Sequence, residues 1–240
     1  MHKAGEHQQP LYMCFVDFKK AFDSVSHDKL WVTTMDMEYP LHLIDLLAKL
    51  YSKQLAKVKV AGTLSERFHV KKGVRHGCVL SPYLFNTLAE MLMRETLDIF
   101  QDGLQTGGRM ITNVRYADDI ILLATSEAEL QELVDRLDGA SRKYSLLINV
   151  DDETKVMASD CIACRTLIQN EQLEQMDTFP YLWSLITEGG DCKTEFCTRI
   201  NRGQVIGASL QKIWKSHSIP ISTKIRQINC LLYTSPSPRD

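Results

Sequence analysis

Two adjacent aspartates, Asp118 and Asp119, stand between the apolar runs Met110–Arg115 and Ile120–Ala124, and a third, Asp17, comes near the end of the apolar run Leu11–Phe18. An unpaired carboxylate inside a core costs several kcal/mol, so such groups must pair, protonate or meet a cation. Neighbouring like charges also oppose each other's ionisation unless a cation intervenes. Hard divalent ions select carboxylate oxygens. Two of them about 3.5–4 Å apart can activate an attacking hydroxyl and stabilise the leaving oxygen of a phosphoryl displacement. Aspartates also serve ordinary hairpin turns, where the side chain bonds nearby backbone. Spacing alone leaves both roles open.

The remaining pattern alternates strands with helices. Leu11–Phe18 reads as a buried strand, and Asp28–Met37 and Leu41–Tyr51 as helices, the second with Leu43, Ile44, Leu46, Leu47 and Leu50 on a broad apolar face. Val58 and Val60, then Phe68 and Val70, alternate around a Gly62-Thr63 turn and predict a hairpin. Ser81-Pro82 has the form of a helix start, followed by Leu84, Phe85, Leu88, Met91 and Leu92 at helical spacing. Asp118-Asp119 falls near the tip of an apolar hairpin. Ser126 and Glu129 form a capping box ahead of Leu130, Leu133, Val134 and Leu137. Leu146–Val150, Lys155–Ala158 and Phe179–Thr187 read as strands, and Glu195–Trp214 as helical. Strands from distant parts of the chain with helices between them predict an α+β sheet with helices on one face.

Charge is uneven. The formal net charge is −2, yet Lys193, Arg199, Arg202, Lys212, Lys215, Lys224 and Arg226 face only Asp191 and Glu195 between residues 191 and 229, a local excess of five. A solvated basic helix and a phosphate-facing surface both fit that excess. No apolar run approaches the roughly 18 residues that span a bilayer, and Met1–Pro10 has no signal-peptide core. The expectation is an intracellular protein, nuclear or cytoplasmic, that does not engage membrane. Seven irregularly spaced cysteines read as reduced thiols. Cys161 and Cys164, with Cys192 and Cys197, are a weak zinc candidate, looser than usual structural zinc spacing. Cys230–Asp240 ends in a Ser/Pro string that resembles the translated adapter of a transposase-based sequencing library, and it is expected to lie outside the fold.

Five segments carry a resemblance. Phe15-Val-Asp-Phe-Lys-Lys-Ala-Phe-Asp-Ser-Val25 resembles motif A of LINE-type (non-LTR) retrotransposon reverse transcriptases. Gly73-Val-Arg-His-Gly-Cys-Val-Leu-Ser-Pro-Tyr-Leu-Phe-Asn86 resembles motif B, and Arg115-Tyr-Ala-Asp-Asp-Ile120 resembles motif C. Tyr144–Met157, with Asn149 and Thr154-Lys155, resembles motif D; Phe179-Pro-Tyr-Leu182 through Ile186-Thr187 resembles motif E, the primer grip. The five stand in the family's order over most of residues 11–229.

The resemblance implies a polymerase palm over 1–190, an antiparallel sheet of split βαβ type with helices on one face, and the start of a basic helical thumb over 191–229, ahead of the adapter-like segment 230–240. It implies that Asp17, Asp118 and Asp119 hold two magnesium ions, or manganese in their place. The reaction would join deoxynucleoside triphosphates to a DNA primer on an RNA template. Phe18, Phe22, His76, Gly77 and Lys155 would contact the nucleotide, and Tyr181 and Leu182 the primer. Phe22, five positions after Asp17, matches an aromatic gate that collides with a ribose 2′-hydroxyl. Lys155 matches a lysine that gives a proton to pyrophosphate or contacts phosphate.

Three departures stand out: His76 where the family usually has Gln, Trp183 where it has Gly, and Leu147 with Asp151-Asp152-Glu153 where it tends to have lysines. The resemblance also implies that the fingers, most of the thumb and any endonuclease domain lie outside these 240 residues, and that the chain is inactive alone. Competing expectations are a non-catalytic relic of a decayed element and a host interaction module with Asp118-Asp119 as a plain turn.

Overall fold

The computed structural model describes residues 10–100, 102–151, 153–159, 162–182, 184–191 and 193–234. Trp183, Asp152, Cys161, Cys192 and 235–240 lie outside the described residues, so the primer-grip departure at Trp183 and the zinc candidate have no structural account.

Strand β1 (Tyr12–Val16) leads through one helical turn, α1 (Ala21–Ser24), into α2 (His27–Asp36) and α3 (Leu41–Ser52). Two small ladders follow, β2 (Leu55–Ala56) with β5 (Phe68–His69), and between them β3 (Lys59–Val60) with β4 (Thr63–Leu64). Helix α4 (Ser81–Leu97) precedes the hairpin β6 (Leu104–Thr106) and β7 (Arg109–Ile111). Then come β8 (Asn113–Tyr116), β9 (Asp119–Ala124), α5 (Glu127–Lys143), β10 (Lys155–Ala158), the pair β11 (Leu167–Ile168) and β12 (Glu171–Gln172), and β13 (Glu174–Gln175). A further hairpin joins β14 (Thr178–Tyr181) to β15 (Ser184–Thr187).

The central sheet runs β13-β10-β1-β9-β8. Strand β1 is antiparallel to both β9 and β10, so β9 and β10 are parallel to each other, joined by α5 with β1 between them. That is the expected split βαβ unit. The sheet is not wholly antiparallel, however: β13 runs parallel to β10.

Alternation along the strands sets its two faces apart. Cys14, Val16, Ile120, Leu122 and Val156 join one buried cluster with Leu84, Phe85, Leu88 and Leu92 of α4 and Leu130, Leu133 and Leu137 of α5. Each fully buried Leu or Phe of this kind contributes about 1.5–3 kcal/mol. Met13 and Phe15 take the other face, where Phe15 stacks on Phe179 with ring centroids 4.1 Å apart. Asp17 continues that second parity, away from the helices.

Several local expectations change. Leu146–Val150 is not a strand: only Phe18 and Ile148 bridge, because Lys20 and Ser145 take left-handed φ values of 51° and 63° and turn both chains away. Ser126 caps α5 as expected, accepting from the Glu129 N–H at 3.2 Å. The Glu129 carboxylate instead accepts from the N–H and hydroxyl of Thr125. The Ser81 hydroxyl donates to the Arg75 carbonyl at 2.5 Å, fixing motif B instead of capping α4. On α3 the broad apolar stripe stays largely in solvent: Ile44 and Tyr51 are buried, while Leu46 is 64% exposed.

Motif B is clamped onto motif A by backbone. The Gly73 N–H donates to the Val25 carbonyl at 2.7 Å, the Val74 N–H to Phe22 at 2.8 Å, and His27 Nε2 lies 2.8 Å from the Gly73 carbonyl. Gly73 has φ +90°, and a Cβ there would stand 3.0 Å from the Asp23 carbonyl oxygen. Gly73→Ala is therefore expected to destabilise the chain by about 1–3 kcal/mol. Urea denaturation measures it, and an unchanged midpoint contradicts the clamp.

The chain divides into two compact units, Met1–Phe179 with Ile186–Gly190, and Pro180–Leu185 with Asp191–Asp240. The second carries α6 (Lys193–Ser209), α7 (Gln211–Lys215) and α8 (Ile221–Thr234). Neither α6 nor α7 buries a side chain. Glu195 accepts from the Leu185 N–H at 2.8 Å, and Arg199 donates to the Ser184 hydroxyl at 2.8 Å. Helix α8 continues to Thr234, past the break at Cys230 that composition suggests. Among the described residues no helix is long and apolar enough to cross a membrane.

Candidate active site

The β8–β9 hairpin closes through a two-residue turn, since Tyr116 pairs with Asp119 and only Ala117 and Asp118 intervene. Ala117 has φ +54° and Asp118 does not share the left-handed region, the sign pattern of a type II′ turn. A non-glycine in that conformation is strained and is held by the surrounding ladder. The consequence is a tight tip that presents both aspartates at the sheet's end.

Asp17 arrives from the neighbouring strand. Val16 pairs with Ile120. Continued by one residue, this register sets Asp17 opposite Asp119, with α-carbons about 4.5–5.5 Å apart. The first carboxylate and the adjacent pair thus come together from positions about a hundred residues apart in sequence. Asp17 is half-buried, Asp118 half-buried and Asp119 exposed.

A loop from motif D wraps Asp17. Its N–H donates to the Thr154 hydroxyl at 3.3 Å, its carbonyl accepts from the Asn149 N–H at 2.9 Å, and its Oδ2 accepts from Asn149 Nδ2 at 3.3 Å. Burial pushes the Asp17 carboxyl up to about 6; a hydrogen bond with Glu153 and the charges of Glu153 and Asp118 add to this, while Asn149 opposes it. Asp119 is also raised, by burial first and then by the charge of Asp118. Asn149, Glu153 and Thr154 are therefore part of this site. Sequence reading placed them only in motif D; nothing local signals that their loop folds back on Asp17.

Among the described residues, no three His, Cys, Asp or Glu side chains stand close enough to hold a metal ion as they are oriented. The donor chemistry nevertheless fits a hard cation. Asp17 and Asp119, whose carboxyls are raised by burial first and also by the charge of Asp118, are groups whose ionisation such an ion would favour.

Motif B lies beside motif A. Phe22 stacks on Phe85 with centroids 4.8 Å apart and lies 6.0 Å from the His76 ring. His76 Nε2 is 3.0 Å from Asp23 Oδ1, an anchor the sequence did not suggest. Gly77 has φ +75°, and its α-carbon faces open space.

Two residues are placed otherwise than the resemblance implies. Phe18 is 2% exposed and belongs to the core, so its ring has no free face for a nucleotide, and only its backbone could offer a contact. The Lys155 ammonium is paired with Glu174 at 2.7 Å. Tyr181 ends β14, and Leu182 turns the hairpin with φ 47°; both belong to the second unit.

The family described as "Reverse transcriptase (RNA-dependent DNA polymerase)" matches residues 1–182. The R2 retrotransposon Pol polyprotein of Nasonia vitripennis is 29% identical over 136 residues, which are 57% of this chain and 13% of that protein. The R2DM Pol polyprotein of Drosophila melanogaster is 27% identical over 227 residues, 90% of this chain and 21% of that protein. The RNA-directed DNA polymerase of the mobile element jockey from Drosophila funebris is 28% identical over 156 residues, 62% of this chain and 16% of that protein. The chain thus spans about a fifth or less of the length of these relatives. Among solved structures, apo telomerase from Candida tropicalis truncated from its C-terminal domain superposes with a TM-score of 0.57 at 17% identity, covering 77% of this chain and 35% of that one. At that identity the likeness speaks to the fold, a polymerase palm. The chain belongs to the reverse transcriptase (RNA-dependent DNA polymerase) family, in its LINE-type retrotransposon branch.

Proposed function

We propose that residues 10–190 are the catalytic palm of a longer retrotransposon polymerase that copies RNA into DNA, adding deoxynucleotides to a primer 3′-hydroxyl. The observation that carries this reading is the strand register that brings Asp17 across from the Asp118-Asp119 tip. Asp17, Asp118 and Asp119 would hold a pair of magnesium ions, which supply Lewis acidity toward the hydroxyl and charge neutralisation toward the phosphates. The remaining work is positioning. Phe22, braced by Phe85, limits the space beside the sugar. His76, held by Asp23, and Gly77, free of a side chain, border the space for the template and incoming base. Asn149 and Thr154 fix the Asp17 backbone. Tyr181 and Leu182 would carry the primer strand. Lys155, already paired with Glu174, is a structural cation in this reading.

The basic excess over residues 191–229 suits contact with the duplex backbone as the start of a thumb. The whole chain carries −2, and phosphate contacts dominate nucleic-acid affinity, so the 240-residue chain alone is expected to extend no primer. The test is extension of a DNA primer on an RNA template in magnesium by the complete polypeptide. A second reading, a copy that has lost catalysis, draws on Glu153, whose carboxylate bonds Asp17 where the family tends to have a lysine. Failure of the complete polypeptide to extend would favour it.

A further inference from the structure

A groove of about 690 Å³ runs between α2 and α4, which pack against each other on the helical side of the sheet. None of the three aspartates of the tip borders it. Helix α2 presents Asp28, Val32 and Asp36 to it, spaced by single turns and so on one stripe. Met91 and Glu95 of α4 face them, with Asp98 just past that helix, and Tyr144 follows at the end of α5. Val32 and Met91 make the floor apolar, and Val32 is 56% exposed.

Every cation on the lining is already engaged. Lys29 donates to the Lys143 carbonyl, Lys143 to both Glu95 oxygens at 2.9 Å, and Arg94 to Glu90 at 3.1 Å. The carboxylates of Asp28, Asp36 and Asp98 bond none of the described residues. Burial, the bond to Glu95 and the charges of Glu95 and Asp36 push the Tyr144 hydroxyl up to about 12, so the negative field reaches the floor. Thr33 gives an independent sign of a missing partner. It lines the groove and is 2% exposed, and its hydroxyl has no hydrogen-bond partner among the described residues. A buried hydroxyl left unpaired costs free energy that an incoming polar group recovers.

We propose that this groove docks a basic amphipathic helix of a partner protein, with apolar side chains on Val32 and Met91 and Lys or Arg on Asp28 and Asp36. Charge complementarity selects this occupant. Nucleic acid carries the wrong sign for three free carboxylates, and a small polycation would leave the apolar floor wet. Helices seat in such grooves through anchors spaced at i, i+3, i+4 and i+7. Asp28 and Asp36 lie about 12 Å apart along α2, so the matching cations stand about two turns apart on the docked helix. The docking does not rest on the polymerase reading.

The test is calorimetric titration of the 240-residue chain, at about 0.15 M salt so that screening removes diffuse attraction. The probe is a blocked, alanine-based helical peptide with two arginines two turns apart and two leucines between them. Saturable one-to-one binding is expected. Asp28→Asn/Asp36→Asn should weaken it about tenfold, as should glutamine for arginine or serine for leucine in the peptide. The charge-keeping Asp28→Glu/Asp36→Glu variant should bind within about threefold of wild type, which separates lost charge from lost fold. Absence of saturable binding, or equal binding by the asparagine variant or by the serine peptide, would overturn the assignment. Displacement of the peptide by an equal concentration of spermine would make the groove a small-polycation site and overturn it too. Dimerisation of the chain that the asparagine variant abolishes, seen by sedimentation, would give the groove to a second copy with the same consequence. None of these results bears on primer extension, so the two readings can fall separately.

Discussion

Asp118→Asn in the complete polypeptide is expected to abolish primer extension on an RNA template, with a loss of about a thousandfold or more. The substitution keeps the size and the hydrogen-bonding reach of the side chain and removes one negative charge. Asp118 occupies the second turn position between Tyr116 and Asp119, where either residue fits the two-residue loop, so the fold should survive. What is lost is a hard oxygen donor next to Asp119, which the strand register sets opposite Asp17. Removing a single electrostatic stabiliser from a preorganised site typically costs two to three orders of magnitude. Losing a metal position should cost at least that much. Extension rates measured in magnesium, with the melting temperature as control, test this; a variant that extends as fast as wild type would remove the metal assignment while leaving the fold intact.

Phe22→Ala is the second large effect. The ring is held on one side by Phe85 at 4.8 Å and lies 6.0 Å from His76, so its position is set by packing. Truncation opens the space where a 2′-hydroxyl would sit. Ribonucleotide incorporation relative to deoxynucleotide should rise about tenfold to a hundredfold, the range for one steric contact worth about 1–3 kcal/mol. Competition between a ribonucleotide and its deoxy counterpart measures this directly. An unchanged sugar preference would make Phe22 a core residue and end the gate assignment. Phe22 is partly buried against the core cluster, so some loss of stability should accompany the change in selectivity.

What could be read from residues alone follows from how local each signal is. β1 is a continuous apolar run, α5 has a cap and a clear apolar stripe, and the aspartate pair sits between two strands; each is fixed within a dozen residues. Sequence adjacency could not bring Asp17 to the tip. That placement came from the family resemblance, and the β1–β9 register now gives its physical basis. The features that local sequence does not show share a cause. Leu146–Val150 alternates like a strand, but the left-handed Ser145 before it and Lys20 on the facing segment leave one bridge. The Lys155–Glu174 pair was not legible, because Glu174 lies on a strand whose parallel pairing has no local signature. The resemblance names Phe18 as a nucleotide contact, but strand alternation turns its ring into the core. Glu153 was visible as an acid in a position expected to be basic. Its approach to Asp17 depends on a loop closed by Asn149 and Thr154 across more than 130 positions.

The same loop makes the central claim open to a direct test. Asp17 faces Asn149 and Glu153, and among the described residues no three His, Cys, Asp or Glu side chains converge. Anomalous diffraction from crystals of the chain soaked in manganese would locate any bound ion. The account predicts manganese between Asp17 and Asp118, with the Asp17 carboxylate rotated off Asn149 to reach it. Saturating manganese that leaves Asp17 on Asn149, with no anomalous peak at the tip, would contradict it.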